Sequence, residues 1–504
     1  MSIPAAASTD SPADDCSPEP GPGPGPGPGH PVKKSPGDDA GTPGADPELR
    51  PEPAALAPVP SYSDDNVAKL SSWRRWIILF VVCWMALPVT FMSTSIMTVN
   101  PEIAATFGTE PTAISTANAG VFVAMALSAL IWLPVTTIIG RRSTYLVATA
   151  ILTLCSLGCA LSNNLATLTA LWVISGTTGP FFLVAGQTIL SDIFEPTVRG
   201  TAVGFFLGST VSAQSITPML GSIIATFTSW RAIFGVQGGM TFLGMALAFL
   251  FVPRNSDLSH LREQEKSKKT TRGDVLHAFN PINVFRLWKF PGILLANFSC
   301  GLLALNQYCL LSSVRHIINP LFNLTDPMYS GLFYLAPGVG FLAGSVVGGH
   351  ISDRTVIRYK AKRDGRRLAE DRLNGSLVWV FLVLPLGTLL YGWSVERGVG
   401  GMGLPIASAF IEGFGLMAAF NGLNTYAAEV HPQFKAATIS GKYTVQYSFG
   451  AIGVGSTVPM IKAVGVGWTF TFGFFMLVIA RCLVRETPSK PRARLFNKKT
   501  DIPS

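Results

Sequence analysis

The stretch SGLFYLAPGVGFLAGSVVGGHISDR, Ser330–Arg354, carries no Asp, Glu, Lys or Arg until it stops on Asp353 and Arg354. About 20 apolar residues wound as a helix cross the ~30 Å hydrocarbon core of a bilayer. The stretch therefore reads as a membrane span whose end carries an acid next to a base. What that pair does depends on how many such spans the chain has and which side of the membrane they end on.

The chain has 504 residues, 48% hydrophobic and only 13% charged. A soluble domain carries roughly 25% charged residues, so this composition calls for a bilayer as solvent. The first seventy residues are rich in Pro, Gly, Ala, Ser and Asp and include GPGPGPGPG at Gly21–Gly29. Such a segment buries no core and is expected to be disordered. It is unlike a cleavable signal, so the first apolar run itself drives insertion.

Twelve apolar runs follow, at about 76–98, 113–139, 144–161, 166–190, 201–225 and 232–252, then 291–313, 329–350, 375–394, 404–428, 437–461 and 466–484. The predicted fold class is an all-α membrane protein: twelve transmembrane helices in two six-helix bundles behind a disordered tail. The expected divisions are a tail over 1–70, a first bundle over 71–252, a linker over 253–290, a second bundle over 291–485 and a tail over 486–504.

Basic residues concentrate on one side. Loop 2–3 has Arg141 and Arg142, loop 8–9 runs from Arg354 to Arg372 with six further Lys and Arg between them, and loop 6–7 and the C-terminal tail are similarly basic. The opposite loops carry little beyond Arg231, Arg315, Arg397 and Lys462. The positive-inside rule then predicts both termini and the long loop in the cytosol; the membrane expected is the plasma membrane. The net charge of +9 is thus a signal of topology and lipid headgroups; no nucleic-acid partner is expected.

No metal or cofactor is expected either. The histidines sit in tails, loops or span ends without metal-ligand spacing, and six of the seven cysteines lie in apolar runs as small buried hydrophobes. No Walker loop is present, which argues against ATP-driven pumping.

The halves are similar to each other. LPVTTIIGRRS (133–143) parallels GGHISDRTVIR (348–358), and SDIFEPTVRGTA (191–202) parallels AEVHPQFKAAT (428–438), so that Asp192 matches Glu429 and Arg199 roughly matches Lys435. A duplicated six-span unit is the architecture of alternating-access transporters. On these residues the chain resembles the major facilitator superfamily over about 75–485. It is most similar to the fungal twelve-span drug:proton antiporter-like branch and its organic-acid and metabolite exporters. The loop 8–9 copy of the family's Gly/Asp-Arg signature matches at Gly349, Ser352, Asp353 and Arg354. The loop 2–3 copy keeps Gly140, Arg141 and Arg142, with Thr137 at the position of the Asp. The antiporter signature of span 5 survives as Pro218 and Gly221, with Thr217 and Ser222 in place of glycines, and Trp172 stands where the family has a span 4 Arg tied to proton coupling.

The resemblance implies a conformational gate at Asp353 and Arg354, with Arg141, Arg142, Asp192, Arg199, Pro218 and Gly221 as its other members. An ordinary interfacial pair is the competing reading. Polar groups inside spans are the transport candidates, because they are costly there. Glu412, in LPIASAFIEGFG, is the deepest carboxylate and the candidate proton carrier; flanked by Phe410, Ile411 and Phe414, it could hold a proton in one state and release it when its surroundings wet. Asn421 lies half a turn away on the same helix, so one of the two is expected to serve packing. Asn424, Asn306, Gln307, Gln214, Lys442, Gln446 and Tyr447 are the remaining candidates, for each of which interhelical hydrogen bonding is the alternative. Lys442 is the one cation available to an anionic substrate.

These features predict a secondary exporter of a small organic compound working by alternating access, coupled to protons and acting as a monomer. A small carboxylate such as itaconate or a fungal secondary metabolite leads; drug or polyamine efflux is the alternative. A receptor on a transporter fold would need a signalling domain, and an enzyme would need clustered catalytic groups, which the sequence lacks. The topology has a direct check. NLT at Asn323–Thr325 is a glycosylation acceptor on the outer side, whereas NGS at Asn374–Ser376 falls at a cytosolic edge. Glycosidase shift assays are expected to find sugar on Asn323 only; a glycan on Asn374 would invert the second half.

Overall fold

The computed structural model describes residues 71–194, 196–251, 286–324, 326–362, 371–429 and 435–486. The expected N-terminal tail, nearly all of the 253–290 linker and residues 487–504 lie outside the described residues.

The first half contains α1 (Ser72–Thr94), a 3₁₀ turn (Ser95–Thr98), α2 (Asn100–Phe107), α3 (Pro111–Ile139), α4 (Arg141–Ala160), α5 (Leu165–Gly176), α6 (Gly179–Ile193), α7 (Pro196–Phe227) and α8 (Trp230–Phe251). The second contains α9 (Pro291–Leu321), α10 (Pro327–Phe333), α11 (Leu335–Lys362), α12 (Asp371–Val378), a π turn (Trp379–Val383), α13 (Leu384–Arg397), α14 (Gly403–Glu429), α15 (Lys435–Val464) and α16 (Val466–Glu486). Spans 1, 2 and 3 are α1, α3 and α4. Span 4 is α5 with α6, and spans 5, 6 and 7 are α7, α8 and α9. Span 8 is α10 with α11, span 9 is α12 with α13, and spans 10, 11 and 12 are α14, α15 and α16.

Among the described residues, 9 stretches are long and apolar enough to cross a membrane. Spans 5, 9 and 11 complete the twelve. Spans 5 and 11 are less apolar because their polar residues point inward: Gln214, Ser215, Thr217 and Ser222 of α7, and Thr438, Ser440, Lys442 and Gln446 of α15, are all buried. The outer surface is apolar instead, with Leu154 70% and Phe242 60% exposed. Water would penalise that surface and lipid does not, which makes this a multi-pass membrane protein.

Four span boundaries differ from the sequence reading. Span 4 is not one helix over 166–190: it breaks at Thr177 and Thr178. Pro180 has no N–H for the Gly176 carbonyl, and the Thr177 and Thr178 amides turn back to Ile174 and Ser175. Trp132 Nε1 donates to the Thr177 carbonyl at 2.7 Å. Span 9 begins at Asp371 and widens into the π turn where Pro385 withholds an N–H from the Phe381 carbonyl. Span 7 runs to Leu321, so Arg315 is a helical residue and not a loop residue. Span 8 continues to Lys362, so Asp353 and Arg354 lie within a helix and not at its end.

Close helix approach shapes the second bundle. Gly340, Gly344 and Gly348 form a stripe at every fourth residue of α11, and a methyl group on any of them would run into the α14 backbone at Phe410, Phe414 or Ala418. Small residues permit this contact, which replaces the hydrophobic drive that lipid cannot supply. Gly349, the next residue, would place a methyl in open space. Gly344→Ala is expected to destabilise the purified protein by ~1–3 kcal/mol through overpacking, read as a lowered melting temperature in detergent. Gly349→Ala is expected to leave it unchanged; equal effects would remove the stripe from the account of packing.

Candidate functional site

Gln214 of α7, Gln307 of α9, Asn421 and Asn424 of α14, and Lys442, Gln446 and Tyr447 of α15 line one cavity of about 50 Å³ between the two bundles. All seven were singled out from sequence. Leu183, Leu207, Thr210 and Val211 complete the wall on the first-bundle side, and Ser345, Met417, Phe420 and Tyr443 on the other. The convergence follows from helix periodicity: Asn421 and Asn424 are three residues apart, and Lys442 and Gln446 four, so each pair shares a face.

The polar groups of the cavity hold one another. Gln307 Nε2 donates to Gln214 Oε1 at 2.6 Å, bridging the bundles. Gln187 Nε2 donates to the Tyr443 hydroxyl at 3.2 Å, a second bridge. Asn421 Nδ2 donates to the Ser345 carbonyl at 2.7 Å. Lys442 Nζ donates to Asn424 Oδ1 at 2.8 Å and sits 3.8 Å from the Tyr443 ring centroid, a cation–π contact. No carboxylate lines the cavity among the described residues. The volume suits a few water molecules, well short of the ~300 Å³ at which small-molecule sites begin. The cavity must widen before it takes a substrate.

Glu412 stands apart. It is 1% exposed and faces into the second bundle, where Asn306 Nδ2 donates to its Oε1 at 2.7 Å and to Thr388 Oγ1 at 3.1 Å. Thr388 in turn donates to the Leu384 carbonyl. Its hydrogen-bond partner is Asn306, which also reaches Thr388, and the backbone at Phe410 and Phe414 packs on the α11 glycines. A residue at position 387 larger than Gly would strike the Glu412 backbone, so spans 9 and 10 touch at this carboxylate.

A closure lies at the expected outer end. Glu102 of α2 and Arg315 of α9 form an ion pair that joins the two bundles. Below it, Phe122 of α3 packs edge-on against Tyr308 of α9, ring centroids 4.5 Å apart. The sequence reading missed Glu102 and Thr388. Glu102 sits in the short helix NPEIAATF, whose Pro101 start and Gly108 stop are legible signals.

The remaining residues hold helices within bundles. Arg142 donates to the Phe249 carbonyl and stacks 5.3 Å from its ring centroid, fastening α4 to the last turn of α8. Arg141 starts α4, half-buried. Gly221 abuts Ser95, so close that a methyl would meet its backbone oxygen at 2.9 Å. Pro218 occupies the preceding turn of α7, and its neighbour Thr217 bonds Thr94 at 2.6 Å. Trp172, in place of a span 4 Arg, donates to the Met92 carbonyl at 2.8 Å. Asp353 and Arg354 are exposed on α11; the side chains of Asp192, Arg199, Glu429 and Lys435 lie outside the described residues. Asn323 is exposed in a left-handed turn ending α9, with φ 53°, and Thr325 is outside the described residues.

A family model described as Major Facilitator Superfamily matches residues 82–456. The chain is 25% identical over 376 residues to the MFS-type transporter tndD of Aspergillus flavipes, covering 70% of this chain and 69% of that protein. It is 24% identical over 421 residues to the efflux pump radE of Floropilus chiversii (80% and 77% covered), and 24% identical over 402 residues to dityrosine transporter 1 of Saccharomyces cerevisiae (71% and 70%). Among solved structures, the xylose transporter XylE from E. coli, in a partially occluded inward open conformation, shares the fold. Its TM-score is 0.62 at 13% identity, covering 83% of this chain and 98% of that one.

The Glu102–Arg315 pair predicts a measurable gate. Glu102→Gln leaves Arg315, 7% exposed, without its carboxylate and weakens the outer closure. A cysteine at Ala119, which faces Gly455 across the bundle interface, is expected to react several-fold faster with a membrane-impermeant thiol reagent in that variant. Equal rates would make the pair incidental to closure.

Proposed function

Because the chain belongs to the Major Facilitator Superfamily, and is accordingly a transporter and not an enzyme, we propose that it exports a small organic acid through the cavity between its bundles. The two bundles rock about that cavity, exposing it to one side and then the other. The leading substrate is an itaconate-like carboxylate or an acidic secondary metabolite. Transport is coupled to protons through Glu412, by a monomer in the plasma membrane with both termini cytosolic. Export is favoured by relatives such as the efflux pump radE, and the orientation by the charge bias of the loops.

The observation that carries the substrate class is Lys442. It is 4% exposed, it lies in the cavity wall, and the described lining offers it amides and a tyrosine ring but no carboxylate. A cation buried without a counter-ion is costly, and an organic anion entering the cavity supplies one. A polyamine or a cationic drug meets the same ammonium as repulsion. Gln214, Gln307, Asn421 and Gln446 offer donors and acceptors for the rest of the molecule, and Tyr443 and Tyr447 offer ring faces.

Inside-out vesicles loaded with the protein and offered labelled itaconate and spermidine side by side test this reading. Uptake of itaconate over spermidine is expected. Lys442→Gln is expected to weaken the apparent affinity for the acid roughly 10- to 100-fold, the worth of a charge-assisted hydrogen bond, with Lys442→Arg retaining part. Preference for spermidine, or an acid affinity indifferent to Lys442→Gln, would overturn the anion reading.

A further inference from the structure

We propose that span 7 couples proton binding at Glu412 to the substrate cavity, through the adjacent residues Asn306 and Gln307. The inference rests on the proton-coupled reading and adds the linkage that reading lacks, since Glu412 does not line the cavity.

Consecutive helical residues point about 100° apart. On α9 that angle separates two environments. Asn306, 0% exposed, turns into the second bundle and commits its amide N–H groups to Glu412 Oε1 and Thr388 Oγ1, on spans 10 and 9. Gln307, 2% exposed, turns to the seam and donates to Gln214 of the first bundle. The helix between them has little slack: a methyl on Gly453 of α15 would lie 2.9 Å from the Leu305 carbonyl. A small rotation of α9 that relaxes one of these bonds strains the other.

The Glu412 end has room for a proton. Glu412 Oε2 and Asn306 Oδ1 are both buried without a hydrogen-bond partner. No Lys or Arg bonds Glu412 among the described residues; Lys442 bonds Asn424 instead. Among the described residues, the titratable side chains that interact electrostatically with Glu412 are Cys309 of α9 and Tyr391 of α13. On α16, Gly473, which is uncharged, lies against the Asn306 side-chain oxygen. A proton arriving from water at Oε2 cancels the buried charge and turns an unpartnered acceptor into a donor. It also converts the Asn306 bond from a charge-assisted one to a neutral one of about half the strength. The hold of spans 9 and 10 on α9 then loosens, the Gln307–Gln214 bridge is free to part, and the cavity widens toward substrate size. Return of that proton to water on the other side restores the carboxylate, the Asn306 bond and the bridge.

The experiment needs no substrate. Ser345 lines the cavity, and a cysteine placed there, quantified by peptide mass spectrometry after reaction with a small thiol reagent, reports how open the cavity is. The quantity read is the ratio of labelling rates at low and high pH in the full-length protein reconstituted in vesicles, each rate divided by that of the same cysteine in the denatured protein at the same pH, because the thiolate is the reacting species. The parent is expected to label several-fold faster at low pH. In Glu412→Gln the ratio falls to about one. In Gln307→Leu it also falls to about one although Glu412 is intact. A Gln307→Leu variant that keeps the parent's ratio, even with both rates shifted, reduces Gln307 to packing or substrate contact and overturns the proposal. A parent whose ratio is already one overturns the proton reading and the coupling together, and leaves the Lys442 reading standing.

Discussion

Lipid offers no hydrogen bonds, and nearly every placement in this protein follows from that. A polar side chain in a span must find a partner inside the protein or face a cavity. Spans 5 and 11 accordingly sit at the seam between the bundles, and their Gln, Ser, Thr and Lys residues are buried there. Apolar side chains are left on the outside, the reverse of a soluble domain. The cavity at the seam is where these obligatory inward-facing groups from both bundles meet.

The same constraint separates two kinds of charge. Lys442 lies at the seam, in the cavity wall, against Asn424 and Tyr443. Glu412 lies within the second bundle, clamped by Asn306. Were the two side chains in contact they would neutralise each other, and neither would be available to a ligand or a proton. Their separation leaves the ammonium and the carboxylate in distinct surroundings, both on helices that touch span 7.

Closure at the expected outer end uses one ion pair and one aromatic contact, Glu102–Arg315 and Phe122–Tyr308. Each joins a first-bundle residue to α9. The Gln307–Gln214 bridge does the same at cavity depth. Span 7 thus carries three successive ties across the seam, which is why a change at Asn306 has somewhere to go.

The amino-acid sequence by itself determined the twelve runs, the charge asymmetry of the loops, the resemblance of the halves and a set of polar span residues, seven of which the packing brings to one cavity. Each of these is a matter of local composition or of spacing along one helix, and the bilayer enforces both. It also showed that Glu412 and Asn421 must point different ways, because half a turn separates them. What it left open was which of the two meets the cavity. Only the packing of span 10 against spans 7, 8 and 9 decided that, since the α11 glycines and Gly387 choose which faces of α14 are covered. The breaks in spans 4 and 9 were hidden because a proline inside an apolar run is compatible with a continuous helix, and it is neighbouring helices that accept or refuse the kink. Glu102 and Arg315 are 213 residues apart, and no spacing along the chain links them. Their pairing exists because the two bundles meet at that end.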